Sequence, residues 1–264
     1  MPAFLRFSRI APILLLLGLS TPVEGNDPDP IWSRTLPGGA TIEVVGISFH
    51  PSTPKSWWKP DGSPLPGAVC DPSGTKINAD DPADALRHRV IVVRVTGLPK
   101  GAEYSWSVRE SNSGSRGPAR RNGVPIPDLH ESVSGFPDDL PTCTIGFEVA
   151  DGPWQTVESS QGNSAHSRAD GPSTIFGAAI ATKAGTTISV AHNLQELPVR
   201  IVAVDDDGVE HEASGSSGGG ISTMSLISAE FKLSPDKIRE FRLQSRPLKK
   251  AEIPNVPLMP MPGP

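Results

Sequence analysis

Short apolar alternations separated by breakers dominate the chain and predict an all-β protein. Thr41 to Phe49 (TIEVVGISF) reads as a strand in which Ile42 and Val44 face one side. Val45, Ile47 and Phe49 continue on the other, and the phase change at Val44-Val45 predicts a bulge. Val90 to Thr96 (VIVVRVT) is apolar on both faces until Arg94, as in a sandwich core. Leu98 to Gly101 turns the chain into Glu103 to Arg109, and Cys143 to Ala150 (CTIGFEVA) resumes the alternation. Asp151-Gly152-Pro153 then marks a module boundary.

Beyond that break, strands are expected at Thr174 to Thr182, Thr187 to Ala191, Val199 to Val204, Val209 to Ala213, Ile221 to Ile227, Glu230 to Leu233 and Phe241 to Leu243. Asp205-Asp206-Asp207-Gly208 supplies a hairpin turn, because glycine tolerates the positive φ required there. Ser234 and Pro235 open one helical turn as N-cap and first position. Two irregular segments interrupt the first half: residues 51–84 and 111–142, both rich in Pro, Gly and Ser. The basic cluster Arg116 to Arg121 reads as a solvated loop, and residues 253–264 as an extended Pro-rich tail. The expected architecture is two antiparallel β-sandwich-like modules, 26–150 and 151–252, meeting near Trp154. A single larger sandwich is the alternative.

The first residues carry a different pattern. Arg6 and Arg9 precede an apolar run, Ile10 to Leu19, followed by small residues at Val23 and Gly25. This is the layout of a signal peptide over residues 1–25. The run is too short to span a bilayer, which takes about twenty apolar residues. Periplasmic or extracellular placement is therefore expected, with no integral membrane segment in the mature chain.

Composition narrows the functional classes. Among 264 residues, 29 prolines and 26 glycines disfavour long helices. A formal charge of −5 without a basic stripe argues against nucleic acid as a partner. The two cysteines, Cys70 and Cys143, are expected to pair in an oxidising compartment. Such a disulfide would close a loop of roughly seventy residues and stabilise by about 4 kcal/mol in the chain-entropy picture.

Chemical motifs are incomplete. Gly215-Ser216-Ser217-Gly218-Gly219 matches the letters of a nucleophile elbow, but a strand follows it and no histidine occurs after His211. It reads as a flexible loop. His130-Glu131 and His211-Glu212 lack the second histidine of a zinc-peptidase helix. Asp205, Asp206 and Asp207 form a weak surface calcium candidate, since the EF-hand register places Ala203 and Ser214 where carboxylates are needed. No cofactor is called for. Trp57-Trp58-Lys59-Pro60-Asp61-Gly62 is the leading local feature: Trp57 and Trp58 offer stacking faces for a ligand, with Asp61 beside them, or else anchor the loop inward.

Two phrases, VVGISFHPS with WWKPDGSPL between Thr41 and Leu65, and FKLSPDKIREFRLQSRP from Phe231 to Pro247, resemble extracytoplasmic β-rich regions of planctomycete secreted and sensor-type proteins. That resemblance implies a stand-alone sensor-like β module, and it carries no catalytic residues. The function expected is a non-enzymatic binding or sensing module acting on a cell-envelope glycan or protein partner. A secreted hydrolase of polysaccharide or peptide, and a structural envelope role, are the alternatives.

Overall fold

A computed structural model describes residues 32–71, 88–162, 164–166, 172–194, 197–221 and 223–261. The expected leader, and residues 72–84 of the first long loop, lie outside the described residues. The strands are β1 (Ser33–Thr35), β2 (Thr41–Phe49), β3 (Trp57–Trp58), β4 (His88–Thr96), β5 (Glu103–Val108), β6 (Ser113–Arg121), β7 (Val124–Gly135), β8 (Thr142–Ala150), β9 (Gln155–Ser160) and β10 (Ser164–His166). They continue as β11 (Thr174–Phe176), β12 (Ile180–Thr182), β13 (Gly185–His192), β14 (Val199–Asp205), β15 (Glu210–Glu212), β16 (Gly215–Ile221), β17 (Met224–Phe231), β18 (Ile238–Ser245) and β19 (Lys249–Pro257). A single 3-10 turn, Pro235–Lys237, precedes β18, and the Ser234 hydroxyl makes no cap bond to it. The described chain is all-β, and every strand pairing is antiparallel.

These strands form two sandwiches, each with its own core. In the first, the sheet β1-β2-β4-β7-β6, with β3 added on β2, faces the sheet β19-β8-β5. Ile42, Val44, Ile47, Ile91, Val93, Trp106, Ile145 and Phe147 meet between them. In the second, β10-β11-β13-β17-β16 faces β15-β14-β18-β9 around Phe176, Ile188, Val190, Phe231, Phe241 and Leu243.

The larger sheet of the first sandwich is apolar on its outer face too, which explains the two-faced pattern of β4. Val90 and Val92 pack outward with Trp57, Cys70, Leu129 and Val133, while Ile91 and Val93 point into the main core. The outer cover is the segment 57–71, lying across the sheet. The β2 bulge sits between Val44 and Gly46. It places Val45 and Gly46 on the outer face, then returns Ile47 and Phe49 to the same core as Ile42 and Val44. At Gly46 an added Cβ would stand 2.7 Å from Val69 and 3.1 Å from Leu65, so the cover requires glycine there.

Five expectations are corrected. Cys70 and Cys143 form no disulfide: Cys70 lies in the outer apolar layer and Cys143 in the main core, on opposite faces of one sheet. Burial pushes each thiol up to about 12; a nearby carboxylate, Glu131 for Cys70 and Glu110 for Cys143, adds to it. Residues 111–142 are not irregular, because β6 and β7 form a hairpin whose turn, Asn122-Gly123, has positive φ at both residues (51° and 76°). The Arg116 to Arg121 cluster is therefore edge strand, as is the Gly-Ser run Gly215 to Gly219 in β16. The Pro-rich end is not a free tail: β19 pairs with β8, and Ile253, Val256 and Leu258 are buried in the first core. Its apolar positions complete a three-stranded sheet that would otherwise leave β8 as an open edge.

In native buffer neither cysteine should react with a thiol reagent, whereas both should label after unfolding without prior reduction. A mass two hydrogens below that of the free dithiol would overturn the assignment. His192, buried at the end of β13 with Nε2 unpartnered, is held below the ordinary imidazole range by desolvation. The unfolded chain then binds the proton more readily. Its contribution to stability is complete above about pH 6.5 and declines as pH falls below it. Thermal unfolding between pH 7.5 and 5 should show a steeper loss than in His192→Leu; parallel profiles would sink this reading.

Candidate cleft at the joint between the two sandwiches

The chain crosses between sandwiches twice, because the second is inserted between β8 and β19. The first crossing is Asp151-Gly152-Pro153-Trp154 and the second Arg246-Pro247-Leu248. The crossings touch: a Cβ at Gly152 would lie 3.0 Å from the Pro247 ring. Lys249 ties them down, donating to the Asp151 carboxylate at 2.7 Å and to the Pro37 carbonyl at 2.6 Å.

Trp154, expected between the modules, is the centre of this joint. The guanidinium carbons of Arg200 on β14 and Arg246 on the second crossing lie 4.6 and 4.4 Å from its ring centroid. Both distances are within cation–π range. Arg246 bridges the sandwiches, donating from Nη1 to the Gly101 carbonyl at 3.2 Å and pairing through Nη2 with Glu103 at 3.1 Å. Its side chain is only 5% exposed, yet its Nε has no hydrogen-bond partner. Arg200 donates from Nε to Gln244 at 2.9 Å and from Nη1 to Glu212 at 2.7 Å.

These groups line a cavity of about 400 Å³. Its apolar lining comes from Val199, Ile201, Ile227 and Ala229 of β14 and β17. A neighbouring hollow of about 320 Å³ shares Glu103 and is walled by Tyr104, Ala150, Leu197, Pro198 and Leu248. The two hollows lie along the joint with Glu103 in the wall of both, and together they form a two-part cleft. Tyr104 is held at its hydroxyl by His130 Nε2, 2.9 Å away. Desolvation raises the Tyr104 phenol above its ordinary range, with Asp128 adding to it, and lowers the His130 imidazole. The carboxylates along the cleft are engaged: Glu103 by Arg246, Glu148 by Ser105 at 3.3 Å and Lys250 at 3.4 Å. Guanidinium forks, aromatic rings and apolar side chains thus stand together along the joint.

The residues singled out by sequence lie elsewhere. Trp57 and Trp58 are 2% and 1% exposed and point to opposite faces of the large sheet. Trp58 packs 5.0 Å from Phe49 and donates weakly to the Pro257 carbonyl at 3.4 Å. The rings thus anchor the loop and offer no stacking surface. Asp61 is exposed; hydrogen bonding from the Ser63 side chain, then from the Ser63 amide at 2.8 Å, lowers its pKa. It shapes the turn that Gly62 completes at φ 81°.

Asp205 likewise serves its own hairpin, accepting from the Val209 amide at 2.8 Å and bonding His211 Nε2 at 2.7 Å. The His211 bond, then the Val209 amide, draw its pKa down. Asp206 and Asp207 stand exposed beside it. Among the described residues no three His, Cys, Asp or Glu side chains are grouped as metal ligands.

Sequence reasoning passed over Tyr104, Arg200 and Arg246. Tyr104 and Arg246 carried a faint signal, one near the start of the strand after a turn and the other preceding a proline; only the fold brings them to the joint. Compared with protein-family models, curated proteins and solved structures, the chain matches none.

Replacing Trp154 by alanine removes the shared partner of two guanidinium groups. It should cost about 1–3 kcal/mol in urea unfolding and separate the unfolding of the two sandwiches into two steps. An unchanged single transition would show that the joint does not depend on the indole.

Proposed function

We propose that this chain is an exported, non-enzymatic binding or sensing module of the bacterial cell envelope, and that its ligand site is the cleft at the joint. The observation that carries this reading is the cleft itself. Concave sites at module boundaries, mostly apolar with a few convergent polar groups, are where small ligands bind by preference. Here Trp154, Arg200 and Arg246 line one hollow and Tyr104 the one beside it, with walls drawn from both sandwiches. Export is supported by the charged, apolar and small-residue sequence of the first twenty-five positions. The planctomycete-like phrases in both halves agree with an envelope setting. Among the described residues no helix is long and apolar enough to cross a membrane.

Two measurements test the proposal. Expressed from its full gene in a bacterial host, the protein should be recovered outside the cytoplasm with Asn26 as its first residue. Retention of residues 1–25 on a cytoplasmic product would remove the export half. Titration with envelope glycan and muropeptide fragments should shift amide signals of Tyr104, Trp154 and Arg246. Tyr104→Ala should weaken the tightest of these by about tenfold, the value of one lost aromatic contact. Shifts that map instead to the 57–62 loop would move the site away from the joint.

A further inference from the structure

Resting on the cleft as the ligand site, we propose that the group it recognises is a carboxylate, held by Arg246 and Arg200 beside the Trp154 ring, on a molecule with an apolar flank. Arg246 is the principal reason. A guanidinium carries five N–H donors in a fixed fork suited to a carboxylate. In Arg246 the side chain is almost wholly buried, and its planar group stacks on Trp154 while it lines the cavity. Its Nη2 atom, now paired with the exposed Glu103, is the donor an incoming acid would take over.

The present counter-ions reach in from the surface: Glu103 and Glu212 are 66% and 80% exposed, whereas their partners Arg246 and Arg200 are only 5% and 27% exposed. An incoming carboxylate can take their place, while each glutamate swings into water at small cost. The four side chains sum to zero formal charge, so a single carboxylate that replaces one displaced glutamate leaves the pairing balanced, whereas a phosphate dianion brings one further negative charge. Val199, Ile201 and Ile227 give this otherwise polar cavity one apolar wall, which accommodates hydrocarbon next to the ligand's acid. A peptide C-terminus and a uronic acid both present such a carboxylate.

A purely mechanical role for Arg246, stapling Gly101 and Glu103 of one sandwich to Trp154 of the joint, makes the opposite forecast for one substitution. If Arg246 only staples, Glu103→Gln weakens the joint and creates no affinity. If Glu103 is the internal competitor of a ligand acid, the same change strengthens binding.

The test uses the mature chain, calorimetry and ¹H–¹⁵N spectra, with N-acetyl-alanyl-leucine against its C-terminal amide and glucuronate against glucose. The expected result is that at least one acid binds about tenfold tighter than its neutral counterpart, the worth of a charge-assisted hydrogen bond. The Trp154 indole and Arg246 Nε–H signals should move with it. Glu103→Gln should tighten that acid severalfold, and Arg246→Lys should abolish the acid preference. Preference for the dipeptide assigns a peptide end, and preference for glucuronate assigns a glycan; either supports the proposal. Equal binding of acid and neutral probe with cleft signals moving would overturn the carboxylate while leaving the cleft as ligand site. No binding by any probe, or weaker acid binding in Glu103→Gln, would overturn it as well.

Discussion

The return of the chain end to the first sandwich, as β19 against β8, is the constraint on which the other features depend. Without it the sheet β19-β8-β5 would be a two-stranded ribbon with β8 exposing a row of backbone donors and acceptors. The first core would lose Ile253, Val256 and Leu258, all of them buried. Backbone pairing and apolar burial act together here, so the last strand is part of the first module although the whole second module separates it from β8 in sequence.

That same return fixes the geometry of the joint. An inserted module is tethered at both ends, and its two crossings must leave and re-enter the first sandwich side by side. Their contact at Gly152 and Pro247, and the Lys249 bridge to Asp151 and Pro37, follow from this proximity. Trp154 and Arg246, one on each crossing, are thereby brought together, and Arg200 reaches them from β14. A cleft with polar groups from both modules results from topology rather than from any local motif.

The large sheet shows how one pattern can have two meanings. Apolar residues on both faces of β4 signal burial on both sides, and both are buried, but by different partners. One face meets the opposing sheet; the other meets the loop that carries Trp57, Leu65 and Val69. The tryptophans lie where that loop is pinned, one ring on each side of the sheet, which is why they are structural. The cysteines are kept apart by the same sheet, and their burial makes the thiols poor nucleophiles.

Sequence by itself determined the all-β character, because period-two alternation interrupted by proline and glycine leaves little else. It also located the β2 bulge and the Asp205 to Gly208 turn, features set by side chains a few residues apart. It failed for β6 and β16, whose Ser, Gly and Arg residues bury almost nothing; these edge strands exist because a neighbour offers them backbone partners. The Asn122-Gly123 turn was legible in principle, but its flanks lack the apolar alternation that makes such a turn conspicuous. Whether Cys70 and Cys143 meet, whether Trp57 faces water and where β19 pairs were decided only in three dimensions, since each depends on which face of a sheet a distant segment covers. The cleft belongs to the same class: its groups come from β5, two crossings and β14, and no spacing along the chain encodes their convergence.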